Sequence, residues 1–432
     1  MSAVDLIGEP FTVIESDPGV FTILLRKLGL RHLEVTEFYS IEPWATAHLE
    51  RDIRGLILCY PCPADTQKDR PALDFEEELP DPDAEDVWFA HQLSVDACAS
   101  QTILNVGMNI ERLSMSSELR AFYDDTLRMD PLMKGLALTN CSFIREAHNS
   151  MARPADVRAA EHLLATTTLD YAKSLKARPD RPPPKRRKVS SPKKSSAKQS
   201  VDDDALEAQD TFHYIGFVPA HGHVWELDGL RASGPLDVGE LPNASSAQGW
   251  MDVVRPALQR RMEGAGGMDG RYSLLAIVDD RFEKASDALE MLKRERAALE
   301  RRLNELHPGT WRDVDMNVAG NADDAFATSV QPSAPGRTFA QDFGSRKMEQ
   351  DVRILDMPER NLMPAWEACV RNAREAKRGV EEEVAAAKRA NTEHINRTHD
   401  YEDFFRTFVG CMQREGVLDD VLSTKKEPAN PT

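Results

Sequence analysis

The chain is 432 residues long and acidic, with a formal net charge of −18 and a pI near 5.2. This charge argues against a general nucleic-acid-binding protein, and the sequence predicts neither a signal peptide nor an apolar run of membrane-spanning length. Six cysteines spread over this length are typical of cytosolic or nuclear thiols and not of a disulfide framework.

The first part of the chain predicts a strand, a helix and a second strand. The helix begins at Asp17-Pro18, because aspartate is a good N-cap and proline suits the first helical position, and Gly29 suits its end. The run 54–60 (RGLILCY) predicts a buried strand. The acidic stretch 63–86, which several prolines interrupt, predicts a loop.

Cys59 and Cys62 form a C-x-x-C pattern, which occurs in redox-active sites and as half of a zinc site. The sequence holds no second C-x-x-C pattern and no cluster of histidines. We therefore favour two ordinary thiols at the end of a strand. Three further cysteines have no recognisable partner in the sequence and are interpreted as packing residues: Cys141, Cys369 and Cys411.

A glutamine and a cysteine lie six positions apart in the segment HQLSVDACASQTILNVGMN. Cys98 opens an apolar run that predicts a buried helix, so its sulfur is expected at the helix N-terminus, where the macrodipole favours the thiolate. Gln92 is expected just before that helix. There its side-chain amide and the Cys98 backbone N–H can both donate to a developing oxyanion. The segment therefore predicts a thiol nucleophile beside an oxyanion hole.

The region 98–149 predicts mainly helix, and Pro154 begins a further helix over 154–176. The next stretch, 177–200, is rich in proline, serine and lysine, a composition that favours disorder. Its basic run PPPKRRKV predicts a nuclear import signal, with a solvated tether as the alternative. Import is favoured because the run contrasts with an acidic chain. The basic residues of the signal are Lys185, Arg186, Arg187 and Lys188.

Two β-rich runs, FHYIGFV and HVWEL, predict a hairpin within 212–230. A two-residue loop (220–221) and a four-residue loop (219–222) give the same register, in which His213 lies directly opposite Asp228. Directly opposed residues have Cβ atoms about 4.5–5.5 Å apart on one face of a sheet. The carboxylate can therefore hold the imidazole, which predicts a general base with its orienting acid.

The rest of the chain predicts one more strand, at 272–280, and then helices. A helical half followed by a sheet half predicts an α+β fold for the part up to this strand. The segment 283–307 predicts a long polar helix with a leucine seam, which either pairs with another helix as a coiled coil or stands as a lone amphipathic stalk. The seam consists of Leu289, Leu292, Leu299, Leu303 and Leu306.

Residues 308–346 show no periodicity and predict a flexible linker. Residues 347–424 return to helix, and 425–432 form a tail. The second helical region carries an aromatic cluster made of Tyr401, Phe404, Phe405 and Phe408. So small a region does not bury these rings comfortably on its own, so it is expected to dock on the catalytic domain or on a partner.

The order Gln, Cys, His, Asp with its six-residue first step is similar to the papain-like thiol hydrolases, and the wider sequence resembles the ubiquitin carboxyl-terminal hydrolase family. The matching stretches are ESDPGVFTILLRKLG, HQLSVDACASQ, MKGLALTN, IREAHNSMARP, FHYIGFVP and ELDGL. A further stretch, AKRANTEHINRTHDYEDFF at 387–405, resembles the helical C-terminal extension of the longer, proteasome-associated branch of that family.

The resemblance implies an architecture. A papain-like α+β catalytic domain, with an antiparallel sheet flanked by helices, is expected over 8–282. It carries a crossover insertion at 151–210, disordered over about 177–205, that passes over the active-site cleft. The extension at 347–424 is expected to bind an adaptor.

The resemblance also implies a function, that of a deubiquitinating cysteine protease. Cys98 would be the nucleophile, His213 the general base and proton donor, Asp228 the residue that orients His213, and Gln92 the oxyanion stabiliser. No metal or organic cofactor is expected. The expected partners are ubiquitin, its conjugates, and a proteasome or chromatin-complex adaptor, with no direct contact to nucleic acid or membrane. The expected location is the nucleus, with some protein in the cytoplasm.

Two other functions remain open from the sequence. One is a catalytically idle nuclear adaptor that uses a ubiquitin-binding fold as a scaffold, although retention of all four catalytic residue types argues against it. The other is a broader thiol peptidase that acts on unfolded chains.

Overall fold

A computed structural model of the protein describes residues 10–44, 53–62, 81–176, 211–242, 249–264, 272–308, 311, 322–327, 339–340 and 342–418. The segment 177–200, with its basic cluster, lies outside these residues, as do most of the predicted linker and the tail. The disorder expected for 177–205 therefore stays a prediction.

A six-stranded sheet forms the centre of the N-terminal part, and every pair of neighbouring strands in it is antiparallel. The strands run in the order β1-β6-β2-β3-β4-β5. Their bounds are β1 Leu33–Phe38, β2 Ile53–Cys62, β3 Thr211–Ala220, β4 His223–Leu227, β5 Leu236–Glu240 and β6 Ser273–Asp279. With helices on both faces of this sheet, the predicted α+β class is confirmed.

Seven helices accompany the sheet in the described part of this region. They are α1 Pro18–Lys27, α2 Cys98–Gly107, α3 Ser117–Thr126, α4 Pro131–Asn140, α5 Ser142–Asn149, α6 Pro154–Lys176 and α7 Trp250–Gly264. The larger core lies between one face of the sheet and helices α1 to α5, and α7 covers the opposite face. Among the residues that the structure describes, no helix is long and apolar enough to cross a membrane.

Local sequence signals located the first helix and two of the strands. Helix α1 begins where the sequence predicts, since Asp17 accepts a hydrogen bond from the Val20 N–H at 3.0 Å, and Gly29 follows with a φ of 96°. Strands β2 and β6 lie where the buried runs predict them. The strand expected before α1 is absent from residues 10–17, where the Thr12 N–H donates to the Asn149 side chain and not to a neighbouring strand.

The C-terminal region forms a third core from helices of this chain. Its helices are α8 Arg281–Leu306, α9 Ala322–Phe326, α10 Phe343–Leu355, α11 Glu359–Thr398 and α12 Glu402–Arg414. Along the predicted seam of α8, Leu299 and Leu303 are buried against residues of α11, including Trp366 and Val370. The last leucine, Leu306, is exposed. The seam therefore pairs with another helix of the same chain and is not a lone stalk.

Ion pairs join the C-terminal helices to the sheet domain. Arg281 at the start of α8 contacts Glu34 on β1 at 2.8 Å and Glu383 on α11 at 3.4 Å. Arg158 on α6 contacts Asp400, just before α12, at 2.9 Å. These pairs are partly exposed, so each one stabilises the docking only weakly.

Helix α12 presents its aromatic residues to solvent. Phe404, Phe405 and Phe408 are 61%, 59% and 51% exposed, and no residue of the helix is buried. The helix is nonetheless amphipathic, with acidic and basic residues along its other face. Within the part of the chain that the structure describes, these aromatic residues therefore do not dock on the catalytic domain, which leaves a partner as the other expectation.

A buried histidine ties the N-terminal segment to α2. The His148 Nε2 and the Thr12 carbonyl are 2.8 Å apart, and its Nδ1 and the Ser100 hydroxyl are also 2.8 Å apart. Because a carbonyl only accepts, Nε2 carries the proton and Nδ1 accepts from Ser100. Burial lowers the pKa of His148 to about 4, against which the Thr12 carbonyl acts in the opposite direction. The side chain is therefore neutral in the folded protein near neutral pH.

The neutral state of His148 predicts a loss of stability in mild acid. Between pH 6.5 and about 4 the unfolded chain takes up a proton on this residue and the folded chain does not. Stability from this group is therefore fully present above pH 6.5 and falls as the pH drops through that window, by at most about 3 kcal/mol. His148→Gln is expected to flatten the decrease of Tm between pH 7 and pH 5.

Thermal unfolding followed by circular dichroism measures this effect, with His162→Gln on the exposed face of α6 as the matched control. The control should keep the wild-type slope. An unchanged slope in His148→Gln would show that another group causes the acid sensitivity.

Candidate active site

His213 and Asp228 form a hydrogen-bonded pair at the centre of the candidate site. The His213 Nε2 and Asp228 Oδ1 atoms are 2.8 Å apart, and the two residues are only 2% and 4% exposed. The same carboxylate oxygen accepts from the Leu230 N–H at 3.0 Å. Because a carboxylate only accepts, Nε2 carries the proton that it donates to Asp228. Nδ1 is then the ring nitrogen that can take up a second proton.

The charge of Asp228 is maintained by its surroundings. Burial alone would raise its pKa, but the hydrogen bond and charge of His213, the Leu230 N–H and the Arg261 guanidinium together lower it. Arg261, on α7, also forms an ion pair with Glu226, which is almost fully buried. Asp228 is therefore an anion at neutral pH, which is the state that orients an imidazole and stabilises an imidazolium.

The predicted hairpin register is wrong by two residues. The turn consists of His221 and Gly222, with φ angles of 53° and 85°, and Pro219 and Ala220 stay within β3. A turn with two positive φ angles matches the twist of the strands, and glycine adopts such angles freely. The sequence interpretation gave too much weight to the proline as a turn residue.

The error changes the pairing but not the face. Gly216 lies opposite Leu227, so the same register would place Asp228 opposite Ile215, two residues from His213. A shift of two residues keeps every side chain on its own side of a sheet. His213 and Asp228 are thus diagonal and not directly opposed neighbours. Their side chains bridge the distance, which is about 7–8 Å for diagonal pairs.

Cys98 is the first residue of α2 and follows a short 3-10 turn at Val95–Ala97. The backbone N–H groups of Ala99 and Cys98 itself lower the pKa of the thiol, as expected at a helix N-terminus. Burial has the larger effect and, with contributions from Cys59 and Asp96, raises this pKa to about 12. In the unbound chain, burial therefore outweighs the helix N-terminus and favours the neutral thiol over the thiolate that the sequence predicts.

The structure places no hydrogen bond between Cys98 and His213, both of which lie in its described part. Cys98 packs at the edge of the larger core, next to the strand pair that carries Cys59 and Tyr214. Strand β3 places Tyr214 and His213 in succession, so the thiol lies near the strand that carries the base. Hydrogen bonds between catalytic groups are often long or absent without substrate and form only in the complex.

Gln92 lies where the sequence predicts, in an extended segment that leads into the turn before α2. Its backbone N–H donates to the Gly229 carbonyl at 2.8 Å, and the N–H of the preceding His91 donates to the Pro131 carbonyl at 3.0 Å. The segment is therefore fixed between the start of α4 and the loop that follows β4. That loop also contains Asp228.

Two buried asparagines hold this segment in place, and sequence reasoning missed both. Asn105 accepts from the Ala90 N–H at 2.9 Å and donates to the Ala90 carbonyl at 3.2 Å. Asn109 makes the corresponding pair with Trp88, at 2.8 Å in each direction. Each side-chain amide thus pairs with the backbone N–H and C=O of one residue, as a neighbouring β-strand would. The signal in the sequence was a pair of amides spaced four residues apart on an otherwise apolar helix.

The C-x-x-C pattern lies within strand β2, as Cys59 and Cys62. Cys59 is buried, and burial raises its pKa to about 11. In the described ranges no three His, Cys, Asp or Glu side chains are grouped as metal ligands. The basic cluster Lys185, Arg186, Arg187 and Lys188 lies outside the described residues, so the structure does not locate it relative to the site.

The four candidate residues thus combine the groups that a thiol acyl transfer requires. Cys98 offers a nucleophile at a helix N-terminus, and the pair of His213 and Asp228 offers a base with an orienting anion. Gln92, held beside that anion's loop, offers an amide donor. Hydrogen bonds join His213 to Asp228 and Gln92 to Gly229. Among the described residues, no hydrogen bond joins the Cys98 thiol to the His213 imidazole.

Comparison with known proteins gives a consistent picture. The family model described as "Ubiquitin carboxyl-terminal hydrolase, family 1" matches residues 11–263. The chain is similar to the ubiquitin carboxyl-terminal hydrolase isozyme L5 of Dictyostelium discoideum, with 30% identity over 313 residues, or 72% of this chain and 75% of that protein. It is also similar to the ubiquitin carboxyl-terminal hydrolase calypso of Drosophila melanogaster, with 26% identity over 430 residues, or 98% of this chain and 77% of that one.

Among solved structures, the chain is similar to the catalytic domain of Trichinella spiralis UCH37 bound to ubiquitin vinyl methyl ester. The identity is 24%, and the match covers 63% of this chain and 97% of that one, with a TM-score of 0.44.

Proposed function

The chain belongs to family 1 of the ubiquitin carboxyl-terminal hydrolases, and on that premise we propose that it hydrolyses the bond at the C-terminal glycine of ubiquitin through a thioester on Cys98. Membership of this family makes it a cysteine-dependent ubiquitin hydrolase. The observation that carries the proposed mechanism is the buried hydrogen bond of 2.8 Å between His213 and Asp228. It supplies an oriented base, in a chain that also holds Cys98 at a helix N-terminus.

The first half of the reaction forms the thioester. As Cys98 Sγ attacks the carbonyl carbon of the terminal glycine, its proton passes to His213 Nδ1, and Asp228 stabilises the imidazolium. The oxyanion receives hydrogen bonds from the Gln92 amide and the Cys98 backbone N–H, and each such donor is typically worth about 10²–10³-fold in turnover. His213 then returns the proton to the leaving amine as the C–N bond breaks.

The second half releases ubiquitin. A water molecule attacks the thioester carbonyl while His213 Nδ1 takes its proton. As the C–S bond breaks, His213 passes that proton to Sγ and restores the Cys98 thiol. Every proton and bond is accounted for by side chains of the chain and by water, so these steps require no metal or organic cofactor.

The neutral resting thiol gives the base an essential role. A thiol whose pKa is about 12 is rarely ionised near neutral pH, so attack requires His213 to remove the proton as substrate binds. Because Cys98 and His213 share no hydrogen bond in the unbound chain, the two must approach each other in the substrate complex.

Two substrates and a binding measurement distinguish this function from the alternatives. The purified chain should release a fluorophore from a C-terminal amide of ubiquitin. It should not cleave an unfolded model peptide that has the same C-terminal residues. Equal cleavage of both substrates would indicate the broader thiol peptidase. Binding of ubiquitin without release of the fluorophore would indicate the idle adaptor.

The C-terminal helices are proposed to bind an adaptor, in a proteasome or a chromatin complex. The support is the exposed face of α12, which carries Phe404, Phe405 and Phe408. Phe404 and Phe408 lie on consecutive turns, and their rings stack with centroids 6.0 Å apart. An apolar helix face of this kind fits the apolar face of another helix. Ion pairs from Arg158 on α6 to Asp400 and Glu402 hold the start of α12.

Nuclear location is also proposed, with import through the basic cluster. Replacing Lys185, Arg186, Arg187 and Lys188 with alanine is expected to move the protein toward the cytoplasm. Hydrolysis of a small ubiquitin amide should stay unchanged, because the cluster is expected to lie in a disordered insertion, outside any packed element. Fluorescence microscopy of a tagged chain measures the shift.

The matched control removes four positive charges elsewhere. Alanine at Arg371, Arg374, Lys388 and Arg389, all exposed on α11, changes the net charge by the same amount and should leave the distribution unaltered. If the cluster variant accumulates in the nucleus as the wild type does, the basic run is not an import signal and acts only as a tether.

A further inference from the structure

We propose that Gly229 is a positioning residue for the oxyanion donor: its lack of a side chain provides the space that Gln92 occupies. The inference rests on the proposed function, in which Gln92 donates to the oxyanion. The Gly229 carbonyl accepts from the Gln92 N–H at 2.8 Å. A Cβ on Gly229 would lie 2.9 Å from the Gln92 Cβ, 3.4 Å from its backbone nitrogen and 3.5 Å from its side-chain oxygen.

The reason for glycine at this position is contact and not backbone conformation. Several glycines of the chain adopt a positive φ, but Gly229 is not among them. An L residue could therefore adopt this backbone without strain, and the obstacle to a side chain is Gln92 itself. Because the atom that would be met is a Cβ rather than the end of a flexible side chain, the main chain of one segment must move.

The opposite side of the Gln92 segment is closed by a second glycine. A Cβ on Gly135, in α4, would lie 2.3 Å from the His91 carbonyl oxygen. The His91 N–H also donates to the Pro131 carbonyl. The segment therefore cannot retreat toward α4 when it is pushed from the Gly229 side. A methyl group at Gly229 is expected to displace the Gln92 side chain.

The position of Gly229 links the two halves of the site. The preceding residue, Asp228, holds His213, and the Asp228 carboxylate also accepts from the Leu230 N–H. The tripeptide 228–230 is thus fixed by hydrogen bonds at each of its residues. It sets the orientation of the base through Asp228 and the placement of the oxyanion donor through Gly229.

Gly229→Ala tests the inference in the ubiquitin-amide assay. We expect kcat to fall by about 10²-fold, the size of the loss of one oxyanion donor, with KM changed by less than about threefold. The control is Gly410→Ala on α12, where an added methyl meets nothing within 4 Å, and it should match the wild type.

A second background shows whether Gly229 acts through Gln92. Gln92→Gly removes the Cβ that the new methyl would meet, together with the donor. Adding Gly229→Ala to Gln92→Gly should therefore lower kcat by less than about twofold, a strong departure from additivity. If Gly229→Ala fails to fold alone, the steric account predicts that Gln92→Gly restores its Tm.

The inference is overturned if Gly229→Ala keeps the wild-type kcat, if it lowers kcat equally in both backgrounds, or if Gln92→Gly does not restore a misfolded Gly229→Ala. Failure of the proposed function is recognised separately, because the wild type would then release no fluorophore in the same assay.

Discussion

Cys98→Ala is expected to reduce the release of ubiquitin by on the order of 10⁴-fold or more and to leave the affinity for ubiquitin close to that of the wild type. The variant removes the sulfur that forms the thioester and leaves the hydrogen bond between His213 and Asp228 in place. The residual oxyanion donors and the oriented imidazole cannot act without a nucleophile. Fluorogenic hydrolysis gives the rate, and isothermal titration with ubiquitin gives the affinity.

Cys141→Ala is the matched control for this variant. Cys141 is also a half-buried thiol that packs against the larger core, just before α5, and it plays no part in the proposed reaction. It should retain full activity. Turnover by Cys98→Ala close to that of the wild type would remove Cys98 from the mechanism, whatever the other residues do.

Asp228→Asn is expected to lower kcat by on the order of 10²–10⁴-fold, with little change in KM. An amide can still accept from His213 Nε2, but it carries no charge to stabilise the imidazolium, and its NH₂ group can select the wrong tautomer. The Asp228 pKa is lowered in the folded protein, so the wild-type residue is ionised throughout the neutral range and the variant removes a full charge. Because Asp228 is buried and bonds to His213, we expect the affinity for the substrate to change little.

The chain offers a matched control on the neighbouring strands of the same sheet. His223 and Asp237 form a second histidine–aspartate hydrogen bond, 2.9 Å long and partly exposed, between β4 and β5. Asp237→Asn removes a comparable interaction without touching His213. It should keep the wild-type kcat. A large loss in Asp237→Asn, or none in Asp228→Asn, would contradict the assigned role of Asp228.

Much of the fold was predictable because its signals are local. The N-cap at Asp17 and the apolar runs of β2 and β6 are properties of short segments, and the structure agrees with each. The strand predicted before α1 failed because a tertiary contact determines that region: Thr12 bonds to Asn149, 137 positions away. No local pattern reports such a contact.

The site shows the same division between local and tertiary effects. The order of Gln92, Cys98, His213 and Asp228 singled out segments in which the structure joins His213 to Asp228 and Gln92 to Gly229. A register error of two residues preserved the face that His213 and Asp228 share. Desolvation of the Cys98 thiol could not be read from sequence, since it depends on what packs around the sulfur. Likewise, the contact between Gly229 and Gln92 exists only once the two loops meet.

The most direct measurement of the central claim is reaction of the full-length chain with a ubiquitin that carries a C-terminal electrophile, followed by mass spectrometry. The account predicts one ubiquitin added per chain, with the modified peptide containing Cys98 and all other cysteines unmodified. A chain that binds this reagent without forming an adduct, or that forms the adduct at a cysteine other than Cys98, would contradict it.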